Sequence, residues 1–534
     1  MSVVGRSLRI DGWGFEGEVV EVPAAMRRWL EARVGAGTPQ GTLAAPETPP
    51  PRALPALPAA TSTEPRDRLL HGRGRSLPDL IWLRSGRPPA VPDAVVRPAD
   101  AGEVAAVLAA CSAAGVRVVP WGGGTSVTGG VNPPAGPVPV VSLDLERLAG
   151  LSRFDGLSRL ASFGAGTRGP AVEDALAAHG MTLGHFPQSW ELSTLGGWIA
   201  TRSSGQESLG YGRIDDLVAG LACAAPAGRL DLPPQPASAA GPELRRWLLG
   251  SEGRFGVITE ATVRVVPRPP ARAAESYLLP DWGRALEAAR DLVREGIPLS
   301  MLRLSDPPET EVAMAVGLAG HSWGSLARGW LRLRGAGSGS CLLLLAAAGS
   351  RAEVEDALGD AAPRLRRHRA VGLGRGPGRR WLADRFRHPY LRDSLLDLGI
   401  ATDTLETAAP WAELPRLHAA VEAALPDVPV LCHLSHPYAD GASLYFTFFF
   451  PCAPEPAATV EAWARLKRAA TGALVAAGGT LSHHHGVGSM HGPWYPREVG
   501  EAGVRMVAAV ARELDPAGIL NPHVLLDPAD RLEA

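Results

Sequence analysis

Five glycines follow directly on a predicted strand in the stretch Pro120–Val131, and this loop constrains the chain more than any other feature. Backbone N–H groups without an obstructing Cβ can turn inward and cradle a pyrophosphate, and the hydroxyls of Thr125 and Ser126 add donors. Two further loops, Pro187–Gly205 and Gly250–Thr259, repeat the mixture of glycines and hydroxyl side chains. One such loop alone fits an ordinary glycine-rich turn equally well, but three together predict one shared phosphate-bearing ligand.

The N-terminal stretch Gly12–Gly17 formally matches the dinucleotide fingerprint G-x-G-x-x-G. That fingerprint binds a pyrophosphate only where a helix follows, because the helix N-terminus then faces the phosphates. Here the extended pattern Glu18–Pro23 follows instead. We therefore predict no Rossmann-type site in this stretch.

The chain has 534 residues, of which 46% are hydrophobic, and this length exceeds the roughly 300 residues at which single cores stop growing. We expect an N-terminal segment (1–34), a Pro/Ala-rich flexible linker (35–66) and two domains (67–270 and 271–527). The linker has almost no aromatic residues and so too little apolar surface to offset the cost of ordering. Periodicity predicts helices at 101–115, 170–180, 457–477 and 497–514, and strands at 116–120, 138–143 and 442–450.

Composition excludes several functions. The 53 Lys+Arg against 55 Asp+Glu give a formal charge of -2, so the chain lacks the net positive charge that would favour binding to nucleic acid. Lys467, the only lysine, precedes Arg468, so the chain has no Walker A loop, and a pyridoxal-phosphate site is not expected. Five cysteines without a CxxC pair, and the lack of a long apolar run or a secretory signal, indicate a cytoplasmic protein. Peripheral contact with the inner membrane face and a homodimer are hypotheses.

In their order, the three loops resemble the PCMH-type FAD-binding domain of the vanillyl-alcohol oxidase class. The resemblance implies an α+β fold with a two-lobed FAD-binding domain at 67–270 and an α+β cap domain, of the FAD-linked oxidase type, at 271–527. It implies FAD as the cofactor, bound non-covalently because Pro120–Gly130 lacks the histidine through which several relatives attach it. The FAD contacts that the class implies are Pro120, Trp121, Gly122, Gly123, Gly124, Thr125, Ser126, Gln188, Ser189, Ser193, Thr194, Gly197, Thr201, Arg202, Ser203, Ser204, Glu252, Gly253, Gly256, Val257 and Ile258.

Motifs in the second half of the chain resemble those of the alkyldihydroxyacetonephosphate synthase family. The stretch Leu481–Gly488 contains three consecutive histidines, as in the synthase motif, where lactate and glycolate dehydrogenases typically carry a different His-Gly segment. Further similar stretches are Ser300–Leu304, Tyr390–Asp393, Glu406–Trp411, Ala442–Phe446 and Leu514–Pro522. The resemblance implies exchange of the acyl group of acyl-dihydroxyacetone phosphate for a fatty alcohol. The expected partners are therefore a lipid-like phosphorylated substrate and a long-chain alcohol.

The same resemblance gives roles to individual side chains. Tyr445 occupies the acid/base position of the synthase, and Arg392 that of the arginine aimed at the substrate phosphate, which a guanidinium can bind bidentately. Arg303 matches another arginine that the family requires for activity. An ordinary strand aromatic is the alternative for Tyr445, and a surface ion pair with Asp393 or Glu406 is the alternative for Arg392.

The three histidines are interpreted as catalytic polar residues that line the flavin pocket. If the segment is extended, successive side chains point to opposite faces, so His483 and His485 share a face and His484 does not. No carboxylate or thiolate stands at ligand spacing, and we predict no metal although His491 is near. A purely structural loop is the alternative.

Three positions depart from the family pattern. Gln188 replaces an acidic residue, Arg254 a small one and Ser489 a basic one. The first two touch the expected FAD shell, whereas Ser489 bears on the substrate. Two other functions remain open: an FAD-dependent 2-hydroxy-acid dehydrogenase or oxidase, and a scaffold protein that has lost its flavin.

Overall fold

A computed structural model describes residues 6–41, 48–319, 329, 333 and 337–526. Its strands are β1 (Ala60–Ser62), β2 (Ala94–Arg97), β3 (Arg117–Trp121), β4 (Val140–Asp144), β5 (Leu151–Asp155), β6 (Leu160–Gly164), β7 (Met181–Thr182), β8 (Val218–Ala225), β9 (Gly228–Leu232), β10 (Val257–Arg264), β11 (Val266–Pro267), β12 (Ala271–Leu279), β13 (Met301–Ser305), β14 (Cys341–Gly349), β15 (Val371–Gly374), β16 (Ile400–Pro410), β17 (Val430–Pro437) and β18 (Gly441–Pro451).

The helices are α1 (Ala24–Val34), α2 (Pro65–Leu70), α3 (Leu77–Arg84), α4 (Ala101–Ala114), α5 (Gly169–Ala177), α6 (Leu195–Thr201), α7 (Ser208–Tyr211), α8 (Ile214–Leu217), α9 (Arg245–Leu248), α10 (Trp282–Arg294), α11 (Pro307–Leu318), α12 (Arg351–Arg367), α13 (Gly376–Asp384), α14 (Leu391–Asp397), α15 (Leu414–Ala424), α16 (Pro456–Ala476) and α17 (Tyr495–Leu514), with short 3-10 turns at His388–Tyr390 and Gly492–Trp494. Each helix and strand predicted from periodicity is confirmed to within a few residues. Within the described part of the chain, no helix combines the length and apolarity needed to cross a membrane.

Three sheets organise the molecule. The first has the order β1-β2-β4-β3 with a parallel centre, the second is β5-β6-β10-β8-β9, and the third is β15-β12-β14-β13-β17-β18-β16. One apolar core fills the space between the first two sheets, and a second core packs on the third sheet. The expected α+β architecture, a two-lobed domain with a separate cap domain, is therefore confirmed.

The two domains exchange segments across the predicted boundaries. Leu77 and Ile81 of α3 are buried in the core of the cap domain. Ile519 and Leu520, far along the chain, are buried in the core of the two-lobed domain, where Leu520 forms an isolated parallel bridge with Val118 of β3. The cap domain therefore returns its last residues to the first sheet, next to the strand that precedes the first glycine-rich loop.

The described residues of the Pro/Ala-rich segment do not form the flexible linker that composition predicts. β1 pairs antiparallel with β2 at the edge of the first sheet. Arg52 makes an ion pair with Asp93 at 2.8 Å, and Gln40 Nε2 donates to Ala453 O at 3.0 Å. Leu54, Leu57 and Ala59 also pack, partly buried, against the core of the two-lobed domain, so backbone pairing, ionic contacts and apolar contacts together hold this segment. Residues 42–47 of the predicted linker lie outside the described residues.

Candidate active site

The three glycine-rich loops meet at one cavity. The first follows β3, the second leads into α6 and the third leads into β10. The cavity has an empty volume of about 630 Å³, including the part open to solvent. Its lining residues are Pro120, Trp121, Gly122, Ser126, Gly130, Val131, Leu145, Thr194, Gly196, Gly197, Ala200, Thr201, Glu252, Gly253, Gly256, Val257 and Ile258. The three loops that the sequence predicts to share a ligand therefore line one cavity.

Close contact between the first two loops requires glycine. A Cβ on Gly123 would lie 2.1 Å from the carbonyl oxygen of Leu192, and a Cβ on Gly122 would lie 2.3 Å from Thr194 Oγ1. The same Thr194 hydroxyl accepts a hydrogen bond from Gly197 N at the start of α6. Glycine therefore lets the backbones of the two loops approach closely beside the cavity, as a site that binds phosphates through N–H groups needs.

Most predicted FAD contacts line the cavity, but Gly123, Gly124, Thr125, Gln188, Ser189, Ser193, Arg202, Ser203 and Ser204, all within the described residues, are not among its lining residues. Several of these hold the loops instead. Ser193 Oγ accepts from the indole N–H of Trp198 at 2.7 Å, and Arg202 makes an ion pair with Asp215 at 2.6 Å.

Five lining residues were not among the predicted contacts: Gly130, Val131, Leu145, Gly196 and Ala200. Four of them, Gly130, Val131, Gly196 and Ala200, lie within the predicted loops Pro120–Val131 and Pro187–Gly205, so the loops were predicted although these positions in them were not. Leu145, which follows β4, carries no comparable signal in the sequence.

Tyr445 lies in a row of side chains that crosses three strands. Glu406 on β16, Tyr445 on β18 and His433 on β17 are each directly opposite the next. The rings of Tyr445 and His485 are edge to face at 5.5 Å. Burial raises the pKa of the Tyr445 phenol, so the phenol is protonated at neutral pH. The ring of His484 also stacks on that of Tyr445 at 6.1 Å, so the acid/base candidate and two predicted histidines are brought together.

Arg303 contacts His433, the residue whose ring stacks on Tyr445. Its Nη2 donates to Glu309 Oε1 at 2.7 Å and contacts His433 Nδ1 at 3.0 Å. Burial would raise the pKa of Glu309, but the charge of Arg303 and the contact with His433 hold it at about 2. The ionised pair fixes the imidazole of His433, which in turn packs on the phenol.

Arg392 is a largely buried residue rather than the surface ion pair considered for it. Its side chain is 15% exposed, Nη1 donates to Arg75 O at 2.6 Å, and Nη2 lies 3.9 Å from a carboxylate oxygen of Asp403. Neither Asp393 nor Glu406, the two partners expected from the sequence, takes that place. The planar guanidinium has five N–H donors, so these contacts leave donors for an anion.

His483 to Gly488, called the histidine segment below, is an irregular loop, so the paired arrangement of His483 and His485 expected for an extended segment is wrong. His483 Nδ1 meets His484 Nδ1 at 2.9 Å, and His483 Nε2 lies 2.6 Å from the hydroxyl of Tyr438. Burial lowers the pKa of His483 and His484, and that of His485 to about 3. The three imidazoles are therefore neutral near pH 7.

His436, His483 and His484 bring nitrogens to within 4.8 Å of one another, a spacing that could hold a metal ion. Their nitrogens have other partners, since His436 Nδ1 contacts Ser208 Oγ at 2.9 Å. The guanidinium of Arg213 also lies beside this group, because it donates to His483 O at 2.9 Å. Its positive charge would repel a metal ion bound by the three histidines. We interpret these histidines as hydrogen-bonded neutral imidazoles.

A second group, Asp306, His418 and Cys432, is fully buried. Asp306 contacts His418 at 3.3 Å. Burial raises the pKa of Cys432 well above its ordinary value, and a thiol is a poorer metal ligand than a thiolate. We interpret this group as a structural pair.

Two of the departures from the family pattern have clear contacts. Arg254 Nη1 donates to Leu520 O at 2.7 Å, so it ties the third loop to the returning C-terminal residues. Ser489 Oγ lies 3.5 Å from Gly129 O, at the end of the first loop. Both substitutions are accommodated at the border between the domains, outside the cavity lining.

Sequence reasoning missed Tyr438 and His436, which contact the histidine segment, and gave Glu406 no role beyond a partner for Arg392. A histidine and a tyrosine two residues apart near the end of β17 are the signal that could have drawn attention to the first two. Glu406 carried no such signal.

Comparison with known proteins shows the family of the chain. The family model for the FAD binding domain matches residues 92–231, and that for the FAD linked oxidases, C-terminal domain, matches residues 268–525. Alkyldihydroxyacetonephosphate synthase of Dictyostelium discoideum is 31% identical over 484 residues, which cover 88% of this chain and 79% of that protein. The chain belongs to the alkyldihydroxyacetonephosphate synthase family.

Other members of the family agree with this assignment. The synthase of Trypanosoma brucei brucei is 32% identical over 480 residues, 86% of this chain and 77% of that protein. A solved alkyldihydroxyacetonephosphate synthase structure superposes with a TM-score of 0.82 at 27% identity, covering 96% of this chain and 98% of that one. The synthase fold, an enzyme activity and FAD as the cofactor therefore extend to this chain.

Proposed function

We propose that the chain is an FAD-dependent alkyldihydroxyacetonephosphate synthase. It exchanges the acyl group of acyl-dihydroxyacetone phosphate for a fatty alcohol and releases the fatty acid. The carboxylate leaves C1 and the alcohol oxygen takes its place, so the reaction has no net change of oxidation state. The observation that carries the proposal is the convergence of three glycine-rich loops on one cavity whose third loop adjoins the histidine segment.

FAD, when bound, supplies the electron-accepting and electron-donating chemistry at C1 that amino-acid side chains cannot supply. The protein positions the substrate and moves protons. Tyr445 has a raised pKa and is protonated at rest, and it faces His485. We assign to its phenol the proton that must leave and return next to the carbonyl of dihydroxyacetone phosphate.

Arg392 is the proposed ligand of the substrate phosphate. The carbonyl of Arg75 and the carboxylate of Asp403 fix one edge of the guanidinium, and a fixed fork loses little entropy when it binds phosphate. Arg303 is proposed to act through His433 rather than on the substrate, since Glu309 and His433 occupy its Nη2.

Non-covalent binding of FAD is part of the proposal. The first loop, Pro120–Gly130, contains no histidine that could carry a covalent flavin bond. Acid precipitation of the yellow protein should release all flavin into the supernatant. Flavin that stays with the pellet would contradict this part of the proposal.

The partners follow from the chemistry of the substrates. Long acyl and alkyl chains dissolve in membranes, so we propose peripheral contact with the inner membrane face, tested by flotation with anionic vesicles. Recovery only at the bottom of the gradient would reject it. A homodimer remains a prediction, which light scattering of the purified protein tests directly.

The decisive experiment is an anaerobic incubation of the yellow protein with acyl-dihydroxyacetone phosphate and a long-chain alcohol, with no electron acceptor present. We expect the ether product in amounts far above the enzyme concentration, together with the fatty acid. A yellow protein that forms no ether but is bleached by a 2-hydroxy acid would be a dehydrogenase. A colourless protein that cannot be reconstituted with FAD would be a scaffold.

A further inference from the structure

We propose that two buried carboxylates, Glu406 of the cap domain and Glu252 of the FAD-binding domain, form a clamp that positions the histidine segment beside the flavin cavity. Both are positioning residues, because they act on the backbone that carries the histidines. The inference deepens the proposed function and rests on it only for the kinetic part of its test.

Glu406 holds the first half of the segment. Its Oε2 accepts from His483 N at 2.6 Å, and its Oε1 accepts from His484 N at 3.1 Å and His485 N at 2.9 Å. The hydroxyl of Ser482 donates to Oε1 at 2.6 Å. The carboxylate is only 1% exposed, so these donors replace the water that a charged group would otherwise need.

Glu252 holds the second half from the other domain. Its Oε1 accepts from Val487 N at 2.7 Å, and its Oε2 accepts from Gly488 N at 2.8 Å. Glu252 also lines the flavin cavity, and its backbone has a φ of +49°. The carbonyl of Glu252 accepts from Asn521 Nδ2 at 2.7 Å, which fixes the turn that presents the carboxylate.

Side chains therefore take every backbone N–H from His483 to Gly488. Gly486, the residue between the two halves, donates to Ser482 Oγ at 3.0 Å. None of these N–H groups joins a helix or sheet, so side-chain acceptors satisfy them, while the carbonyls of Val487 and Gly488 accept from the backbone N–H groups of His491 and Leu525. The carboxylates thus decide where the three imidazoles lie.

The clamp links the histidines to Tyr445 and to the flavin. Glu406 lies directly opposite Tyr445 on the neighbouring strand, so the carboxylate that holds His485 N is fixed relative to the phenol. Because Glu252 belongs to the cavity wall, the same segment is fixed relative to the cofactor. The clamp therefore fixes the phenol of Tyr445, the imidazoles of the histidine segment and the flavin cavity relative to one another, although two domains contribute them.

The test compares Glu406→Gln with Glu498→Gln in the FAD-loaded full chain. Glu498 is a matched control, because its exposed carboxylate accepts from Thr480 Oγ1 at 2.6 Å and from Leu481 N at 3.0 Å, just before the segment. In Glu406→Gln, the new amide keeps one acceptor oxygen and turns a donor towards backbone N–H groups. Glu406→Asp keeps the charge and shortens the side chain by one methylene.

Two measurements report on the clamp. In Glu406→Gln, kcat should fall about tenfold or more while KM stays within a factor of about three, since the loss of one charge-assisted hydrogen bond corresponds to about a factor of ten. Carbethoxylation of the three histidines by diethyl pyrocarbonate, mapped by mass spectrometry, should become about tenfold faster, because a loosened loop exposes them. In Glu406→Asp, both kcat and the modification rate should lie between those of the wild type and Glu406→Gln. In Glu498→Gln, both should match the wild type.

The modification rate needs no turnover, so it tests the clamp even if the ether-forming reaction fails. Wild-type histidine protection in both Glu406→Gln and Glu252→Gln would overturn the proposal, as would equal effects of Glu406→Gln and Glu498→Gln. If Glu406→Gln does not fold, Glu406→Asp and Glu252→Gln carry the same measurements. If the histidine modification rates follow the expected order but no ether product forms, the proposed function is rejected and the clamp is retained.

Discussion

The imidazole of His433 stacks on the phenol of Tyr445, with ring centroids 4.9 Å apart and planes inclined by 18°. Burial lowers the pKa of His433 to about 4, so a neutral ring covers one face of the phenol. Neither ring carries a charge near pH 7, and the phenol keeps its proton until the substrate arrives. This stacked pair is the reason to place the proton-transfer step at Tyr445.

Tyr445→Phe removes only the hydroxyl and should keep the stacking. We expect kcat to fall by about 10² or more, the usual contribution of a positioned acid or base, with bound FAD unchanged by absorbance. Tyr277→Phe is the control, because Tyr277 is also buried and its hydroxyl donates to Glu275 at 2.7 Å in the cap domain. Wild-type turnover by Tyr445→Phe would exclude the phenol as the acid/base.

Arg392→Lys keeps the positive charge and loses the planar fork. The KM for acyl-dihydroxyacetone phosphate should rise about tenfold, since a lysine cannot bind phosphate bidentately, and the KM for the alcohol should not change. Arg416→Lys, at an exposed ion pair with Glu413, serves as the control in the same steady-state assay. Equal changes in both KM values would show that Arg392 does not recognise the phosphate.

Gly123→Ala should prevent FAD binding. The added Cβ would lie 2.1 Å from Leu192 O, which is backbone and cannot rotate away, so the first two loops must separate. Gly359→Ala in α12 meets no atom within 4 Å and should stabilise the helix by about 0.5–1 kcal/mol. The ratio of flavin to protein absorbance measures how much FAD each variant binds. A Gly123→Ala protein with a full complement of FAD would contradict the close approach of the loops.

Glu252 should make stability depend on pH. Burial raises its pKa from 4.5 to about 7, although the N–H groups of Val487 and Gly488 oppose the shift. Because the folded state binds this proton more tightly than the unfolded chain, the contribution is complete below about pH 4.5 and is lost as the pH rises to about 7. The shift corresponds to about 3 kcal/mol.

Denaturant unfolding of the wild type and Glu252→Gln at several pH values measures this effect. The wild-type advantage in free energy of unfolding should shrink between about pH 5 and pH 8, because glutamine cannot titrate. Glu413→Gln, at an exposed ion pair, should show no such change. A difference between wild type and Glu252→Gln that is constant across this range would place the Glu252 pKa outside it.

The glycine-rich loops could be predicted because each is contiguous, and its chemistry depends on residues that are neighbours in sequence. The clamp could not be predicted. Glu406 is 77 residues before His483, and Glu252 is 236 residues before Gly488, so only the packing of the two domains brings them together. The course of the histidine segment depends on these distant acceptors, which explains why the sequence could not show whether the segment is extended.

The Pro/Ala-rich segment shows a second limit of sequence reasoning. Composition measures the apolar surface that a segment can bury, which here includes Leu54, Leu57 and Ala59, partly buried against the core of the two-lobed domain. It says nothing about a free sheet edge elsewhere, and the edge of β2 accepts β1. Arg52 and Asp93 add an ion pair that no local sequence pattern predicts.

The bridge between Val118 and Leu520 has a consequence for synthesis on the ribosome. Ile519 and Leu520 are part of the apolar core that packs on the sheet before the first glycine-rich loop, so this core is incomplete until residue 520 has left the exit tunnel. A nascent chain stalled after the first domain would expose that apolar surface to chaperones. Stable retention of flavin is therefore expected only after residue 520 has been synthesised.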